Sequence, residues 1–125
     1  MKIIIAGSRT ITDKNVVYSA FFYGLAKFVE QGCKLPLHKL EIVSGCARGV
    51  DEIGEKLAYF LNIGLSLFPA NWNKYGKKAG YLRNIEMANY ADALIAVWDG
   101  KSRGTKMMID IAKKKGLKVY VYESS

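Results

Sequence analysis

The chain has 125 residues, of which 50% are apolar and 24% are charged. This composition suits one folded domain over residues 1–125 and excludes a disordered or low-complexity segment. The formal net charge of +8 favours an anionic partner, although charge alone does not separate nucleic acid from a small phosphorylated ligand. Two cysteines are too few for a disulfide framework, and no apolar run approaches the roughly 20 residues of a membrane span. We therefore expect a cytoplasmic protein with no membrane partner.

The first half of the chain predicts alternating strands and helices. Residues 3–6 are continuously apolar, as in a strand that is buried on both faces. Thr12 and Asp13 can cap the helix that follows. Gly32 is expected to end that helix, and Gly64 to end the next one. In chain order, the pattern then predicts a strand over 40–44, a helix over 50–62 and a strand over 65–68.

The second half continues the alternation after a long connection. Residues 70–80 predict a polar, aromatic loop. The elements predicted after it are a helix over 81–90, a strand over 92–97, a helix over 105–115 and a strand over 118–122. The last strand alternates more than the others, so we expect it at an edge of the sheet.

Strands that alternate with helices predict an α/β fold, a Rossmann-like three-layer sandwich with helices on both faces of a parallel sheet. Right-handed crossovers leave few arrangements of five strands, and we expect the order 3-2-1-4-5. The gap between strands one and four is then the topological switch point. Ligands of such sheets bind there, outside the carboxyl ends of the strands.

Three glycine-rich loops follow predicted strands and open helices, so they are expected at one edge of the sheet. The first loop is residues 7–10, the second is 44–49 and the third is 99–105. Glycine lets backbone approach a ligand closely, and free N–H groups at a helix start bind anions. The predicted ligand-binding residues in these loops are Gly7, Ser8, Arg9, Ser44, Gly45, Cys46, Arg48, Gly49, Asp99, Gly100, Ser102, Arg103, Gly104 and Thr105.

An arginine stands in each loop, close to a helix start. The helix dipole disfavours a cation there by roughly 0.3–1 kcal/mol. Arg9, Arg48 and Arg103 therefore favour an external anion, because guanidinium groups match the geometry of phosphate. The alternative is pairing with local acids, Asp13 for Arg9 and Asp51 for Arg48.

Further candidates lie outside these loops. Arg83 and Asn84 are predicted to bind the ligand, as is Trp98 at the end of the fourth strand. Tyr81 and Trp98 have aromatic faces that suit stacking on a base. Asp99, Glu86 and Arg83 are the candidates for catalysis, none of them with a defined role. Met107 and Met108 suit the core or an apolar face between copies of the chain.

Several familiar sites are excluded. The chain contains no G-x-G-x-x-G motif, and the P-loop glycine expected before Gly100 is Ile95. The only histidine, His38, precedes the second strand and so falls at the wrong edge of the sheet for a catalytic triad. No cluster of His, Cys and Asp suggests a metal, and we expect no metal and no bound cofactor.

The sequence resembles the SLOG superfamily of Rossmann-like proteins, and within it the small YspA-type group related to YpsA. The segments that carry the resemblance are IAGSR (5–9), VSGCARGVD (43–51), FPANWNKYG (68–76), GYLRN (80–84), ADALIA (91–96) and WDGKSRGT (98–105). Members of this superfamily bind nucleotides and their derivatives and are often oligomeric. The resemblance implies that the three loops form a nucleotide pocket, and that the chain forms a homo-oligomer.

One similar branch, the Lonely Guy proteins, hydrolyses nucleoside monophosphates. Arg83 matches the arginine of that branch and Met87 matches a methionine, whereas Asn84 replaces a lysine. The glutamate position of the branch is Met108, which cannot stabilise a cationic sugar, so turnover is left open. Cys46 stands where the resemblance implies a glycine.

Three functions compete at this point. The leading hypothesis is sensing or sequestering of a nucleotide-like ligand, such as an adenine nucleotide, an ADP-ribose derivative or a cyclic signalling nucleotide. The second is hydrolysis of an N-glycosidic or phosphate bond, with Asp99 or Glu86 as the acid–base group. The third is single-stranded nucleic-acid binding, as in the similar DNA-processing protein A, which fits the charge and the aromatic residues. We rank it last because the arginines lie in short loops and not along a stripe.

Overall fold

The computed structural model describes residues 1–124 and has an α/β fold around a five-stranded parallel sheet. The strands are β1 Lys2–Gly7, β2 Glu41–Ser44, β3 Gly64–Leu67, β4 Ala93–Trp98 and β5 Lys118–Glu123. The α-helices are α1 Lys14–Glu30, α2 Val50–Leu61, α3 Trp72–Tyr75, α4 Ala79–Tyr90 and α5 Arg103–Lys114. The strand order is β3-β2-β1-β4-β5 with every neighbouring pair parallel, which confirms the predicted order.

Alternate side chains of the central strands belong to two separate cores, one on each face of the sheet. Ile3 and Ile5 of β1 face the core that α1 and α2 cover. Ile4 and Ala6 face the core that α4 and α5 cover. Both faces are therefore buried, which explains why β1 and β4 read as unbroken apolar runs and confirms the three-layer sandwich.

The caps of the helices differ in part from the predicted ones. Asp13 caps α1 as expected, because its side chain accepts a hydrogen bond from the N–H of Asn15 at 2.9 Å. The expectation that Gly64 ends α2 is wrong. Asn62 takes the left-handed conformation there, with φ of 55° and ψ of 45°, and Gly64 opens β3 instead. Asparagine tolerates this conformation better than most residues, so it ends the helix two residues earlier.

The predicted loop over 70–80 is wrong in part, because it contains α3 and a 3₁₀ turn over Gly76–Lys78. Asn71 begins α3, and its side chain accepts a hydrogen bond from the N–H of Lys74 at 3.1 Å. The periodicity of so short a helix is too brief to separate it from a loop.

The edges and outer surface of the sheet also bear on the predictions. β5 pairs only with β4, so it is an edge strand as expected. Met108 is 1% exposed and belongs to the core, so it cannot supply an apolar face between copies. The exposed large apolar side chains away from the loops include Phe22, Val29, Tyr59 and Phe60 on the α1–α2 side. Across residues 1–124, no helix combines the length and apolarity needed to traverse a bilayer.

Candidate functional site

A cleft of about 570 Å³, here called the central cleft, opens at the carboxyl ends of β1 and β4. This is the topological switch point of the sheet, where ligands of α/β proteins bind. Its lining comes from the end of β1, the three loops, the start of α2, the segment from α3 to α4, and the start of α5. The lining residues are Ala6, Gly7, Ser8, Arg9, Thr10, Ala47, Asp51, Trp72, Lys77, Gly80, Tyr81, Arg83, Asn84, Met87, Asp99, Lys101, Ser102, Gly104, Thr105, Met107 and Met108. The cleft therefore unites residues that the sequence places far apart.

Gly49 fixes the first loop against the second. Its φ is +73°, and a Cβ at this position would lie 2.6 Å from the carbonyl oxygen of Arg9 and 2.7 Å from that of Ser8. Only glycine combines that backbone conformation with so close an approach. Gly49 does not line the central cleft, so its contribution is to place Arg9 and the start of α2 side by side.

The third loop is organised by Asp99. The side chain accepts hydrogen bonds from the N–H of Ser102 at 2.7 Å and of Lys101 at 2.8 Å. These two hydrogen bonds lower the pKa of the Asp99 carboxyl, and the bond from Ser102 has the larger effect. The Asp99 N–H donates to the Ser8 hydroxyl at 3.2 Å, which ties the third loop to the first. Trp98 supports the same loop by donating its indole N–H to the Ser102 carbonyl at 3.0 Å, and it does not line the cleft. Asp99 is therefore an ionised residue that shapes the loop.

The arginines of the three loops do not all converge. Arg9 lines the central cleft, and together with Arg48 it lines a smaller adjoining cleft of about 250 Å³. Arg103 lines neither cleft, and its part in ligand binding stays a prediction. It is the first residue of α5, and its neighbours Ser102, Gly104 and Thr105 occupy the side of the helix that faces the cleft.

The alternative of local pairing is wrong for the arginines. Among residues 1–124, no carboxylate oxygen lies within 4.0 Å of a side-chain nitrogen of Arg9 or Arg48. Neither Asp13 nor Asp51 therefore neutralises a loop arginine. The charges of Arg9 and Arg48 remain available to an anion.

Arg83 is the other arginine that lines the central cleft. Its Nη1 donates to the carbonyl of Gly45, and its Nε donates to Oδ1 of Asn84 at 2.9 Å. Burial lowers the pKa of Arg83, and the nearby Arg9 adds to this effect while Asp51 opposes it. A guanidinium remains ionised despite such shifts. The hydrogen-bonded guanidinium of Arg83 and the exposed one of Arg9 are thus near each other, and neither forms a salt bridge within residues 1–124.

Asp51 is the buried charged residue among the cleft residues that the sequence analysis did not name as site residues. It is the second residue of α2, is 4% exposed and lines the central cleft. Its Oδ2 accepts a hydrogen bond from the N–H of Ala47 at 3.3 Å. Burial raises its pKa from 3.8 to about 6, against the lowering effects of the Ala47 N–H and the Arg83 charge. An acidic residue in the first turn of a helix is commonplace, so the sequence carries no signal of its burial.

The mouth and floor of the central cleft are apolar. Trp72 and Tyr81 line it and remain 52% and 49% exposed. Met87 and Met108 line it from the core beneath α4 and α5. The glutamate position of the Lonely Guy branch is therefore occupied at this floor by a buried thioether. Lys77, Lys101, Thr10 and Ala47 also line the cleft, although the sequence did not single them out.

The remaining predicted residues lie apart from the central cleft. Ser44 is buried, and its hydroxyl donates to Glu55 at 2.6 Å while accepting the N–H of Cys46 at 3.1 Å. Cys46 and Gly45 line the smaller cleft, and Cys46 has a φ of +64°, a conformation that favours the glycine implied by the resemblance. Burial raises the pKa of the Cys46 thiol.

Two further candidates fall outside both clefts. Glu86 is exposed on α4 and lines neither cleft, which leaves Asp99 as the acid–base candidate in the central cleft, while a role for Glu86 stays a prediction. Gly100 has a φ of +80° and serves the turn of the third loop without lining the cleft. Over residues 1–124, no group of three His, Cys, Asp or Glu side chains is placed to hold a metal ion.

Comparison with known proteins identifies a phage relative. The chain is similar to the Gene 61 protein of Mycobacterium phage D29, with 35% identity over 124 residues, which cover 94% of this chain and 93% of that protein. No protein-family model and no solved structure matches the chain. The similarity spans nearly the whole of both proteins.

Proposed function

The chain belongs to the same family as the Gene 61 protein of Mycobacterium phage D29, and for this member we propose the binding of a nucleotide-like phosphorylated ligand in the central cleft. The observation that carries the proposal is the convergence of Arg9, Lys77, Arg83 and Lys101 on one cleft at the switch point of the sheet. Sensing or sequestering fits this arrangement. Suitable ligands are adenine nucleotides, ADP-ribose derivatives and cyclic signalling nucleotides.

The phosphate end of the ligand belongs between the first loop and the start of α5. Ser102 caps this helix, and Gly104 and Thr105 of its first turn line the cleft. Backbone N–H groups at a helix start attract anions, and Arg9 adds a guanidinium from the opposite side. This pairing of a helix start with a facing cation supports a phosphate site.

The base end belongs near Trp72 and Tyr81. Both rings line the cleft and remain about half exposed, so a planar base can stack on them without displacing core side chains. The cleft volume of about 570 Å³ lies within the 300–1,000 Å³ typical of small-molecule sites. The resemblance to the SLOG superfamily supports the same ligand class.

The proposal is tested by thermal melts and calorimetric titration with AMP, ADP, ADP-ribose and cyclic AMP. A ligand present at 100 times its Kd stabilises the folded state by about 2.7 kcal/mol. R9Q is expected to weaken binding about 10-fold or more, because it removes a charged hydrogen bond worth ~1.5–3 kcal/mol. R103Q removes the same charge outside the cleft and is the matched control. Absence of binding by all four ligands, or equal effects of R9Q and R103Q, would refute the proposal.

Turnover is tested in the same incubations by chromatography of the products. Asp99 is the remaining acid–base candidate of the sequence analysis, and its side chain already accepts two backbone hydrogen bonds. A free base or a ribose phosphate that disappears in D99N would establish hydrolysis. Intact ligand after prolonged incubation would support binding without turnover.

Single-stranded nucleic-acid binding is a second candidate, favoured by one observation. Residues 71–78 are all exposed, and they combine Trp72 and Tyr75 with Lys74, Lys77 and Lys78. Aromatic faces beside cations suit stacked bases and backbone phosphates. Such binding would weaken steeply with salt and would be weakened in a K74Q/K78Q variant, whose two lysines do not line the central cleft. Retention of mononucleotide binding in that variant would assign the two activities to different surfaces.

The resemblance to the SLOG superfamily implies a homo-oligomer, and we propose that the chain self-associates. The apolar residues available for it are on the α1–α2 side, not at Met108. Light scattering after size exclusion measures the oligomeric state directly, and F60S would reduce association through this side.

A further inference from the structure

Two carboxylates, Asp51 and Asp99, lie among the donors of the central cleft, and of these two only Asp51 is buried. Arginine, lysine and backbone N–H groups donate hydrogen bonds, and a phosphate group supplies only acceptors. Asp51 is a carboxylate within the same lining, so toward a phosphate it contributes repulsion. Its burial in a cation-rich cleft is explained if the ligand brings a hydrogen-bond donor to it.

Within residues 1–124, the Asp51 carboxylate forms no salt bridge. Among residues 1–124, no lysine or arginine nitrogen lies within 4.0 Å of its carboxylate, because Arg83 directs its donors to Gly45 and Asn84. Ala47 supplies a backbone N–H at 3.3 Å, which leaves further lone pairs of the carboxylate available. Burial disfavours the ionised form, and the raised pKa of about 6 agrees with this incomplete compensation.

The position of Asp51 decides which part of the ligand it meets. Gly49 packs against the carbonyls of Ser8 and Arg9, and Asp51 follows two residues later at the start of α2. The carboxylate itself lies beside the second loop, where a Cβ at Gly45 would be 3.1 Å from its Oδ2. The packing of Gly49 holds the second loop against the first, which contributes Arg9 to the phosphate end. In a nucleotide, the sugar joins the phosphate to the base, so its hydroxyls lie between these two ends. The aromatic rings proposed for the base, Trp72 and Tyr81, come from a different wall formed by α3 and α4.

We propose that Asp51 accepts a hydrogen bond from a sugar hydroxyl of the ligand and selects ribose-containing phosphates over deoxyribose and sugar-free phosphates. This inference rests on the proposed function and deepens it by naming the chemical class of the ligand. Asp51 is then a specificity residue that touches the ligand. A site built to bond a hydroxyl rejects an analogue that lacks it, since its buried acceptor is left unpaired.

The test compares three probes, AMP, 2′,3′-dideoxy-AMP and inorganic pyrophosphate, by calorimetric titration at pH 7.5. The wild-type protein is expected to bind AMP at least 10-fold more tightly than dideoxy-AMP. D51N is expected to lower the affinity for AMP at least 10-fold and to reduce the preference over dideoxy-AMP to under threefold. Pyrophosphate is expected to bind D51N as tightly as wild type or more tightly, because a repelling charge is gone.

The matched control is E52Q, which removes the same charge from the next residue. Glu52 is exposed and does not line the central cleft, so its variant should keep the AMP preference. Asparagine at 51 still accepts the Ala47 N–H, and a thermal melt checks that D51N is folded. If D51N does not fold, the wild-type ratio for AMP and dideoxy-AMP decides the question alone.

The outcomes separate the inference from the proposed function. Equal wild-type affinities for AMP and dideoxy-AMP would overturn the inference while leaving nucleotide binding intact. A D51N loss of equal size for all three probes would assign Asp51 to positioning the second loop and would also overturn it. A loss of affinity in D51N that is seen with AMP and absent with IMP would indicate a contact with the amino group of the base. That result would also overturn the inference. Absence of binding by every probe to the wild type would refute the proposed function itself.

Discussion

Replacing Asp51 with asparagine tests whether the protein carries a buried charge at a cost to its own stability. The carboxyl is 4% exposed, and burial raises its pKa from 3.8 to about 6. Each tenfold change in proton affinity corresponds to ~1.4 kcal/mol. Ionised Asp51 therefore costs the folded state about 3 kcal/mol at pH 7 and above, and an isosteric neutral side chain removes that cost.

The pH dependence follows from the direction of the shift. Because the folded-state pKa lies above that of the unfolded chain, folding takes up a proton between these two values. The neutral form stabilises the fold fully below pH 3.8, and this contribution is lost as the pH rises through about 6. Below pH 4, D51N and wild type should be equally stable. The advantage of D51N should grow to about 3 kcal/mol by pH 7.

Urea denaturation followed by circular dichroism measures this difference at several pH values between 4 and 8. E52Q is again the control, since Glu52 is exposed and its replacement removes the same charge from the next residue without relieving a buried one. A stability difference between D51N and wild type that does not vary with pH would refute the reasoning. So would a D51N protein that is less stable than wild type at pH 7.

Three further predictions use other parts of the site. Gly49→Ala should destabilise the protein by at least ~2 kcal/mol, because its Cβ would meet the Arg9 carbonyl in a left-handed conformation; urea denaturation checks this against Gly104→Ala, whose Cβ would meet nothing within 4 Å. Tyr81→Ala should weaken AMP about 10-fold while leaving ribose 5-phosphate unchanged in calorimetry, because stacking on a base is worth ~1–3 kcal/mol; equal losses for both would contradict the base position. Arg83→Lys should weaken AMP about 10-fold despite keeping the charge, since lysine lacks the planar fork that reaches Gly45 and Asn84 together; unchanged affinity would show that only charge matters.

Much of the fold follows from the sequence because its strands are buried on both faces. Unbroken apolar runs such as 3–6 and 93–97 have few alternatives to a central parallel strand. Right-handed crossovers then bring the first and third glycine loops to the same edge of the sheet. The role of Asn62 in ending α2 and the short helix α3 were missed because single polar residues decide them locally.

The candidate site was less predictable than the fold because it depends on the direction of individual side chains. Arg103 and Gly104 are neighbours in the sequence, yet only Gly104 lines the central cleft. One residue along a helix turns a side chain by about 100°. Asp51 looks like an ordinary first-turn acid, and only the packing of the second loop over it reveals its burial. Sequence patterns record residue types, whereas desolvation is a property of the assembled fold.

Because the interior is divided into two cores, the central cleft shares residues with one core and none with the other. The apolar side chains of the central cleft that belong to a core, Ala6, Met87 and Met108, all come from the α4–α5 side. Large side chains on the opposite side, such as Phe21 and Phe28, are separated from them by the full thickness of the sheet. Substitutions in the core on the α1–α2 side, for example for heat resistance, can therefore be made without changing a residue that lines the central cleft.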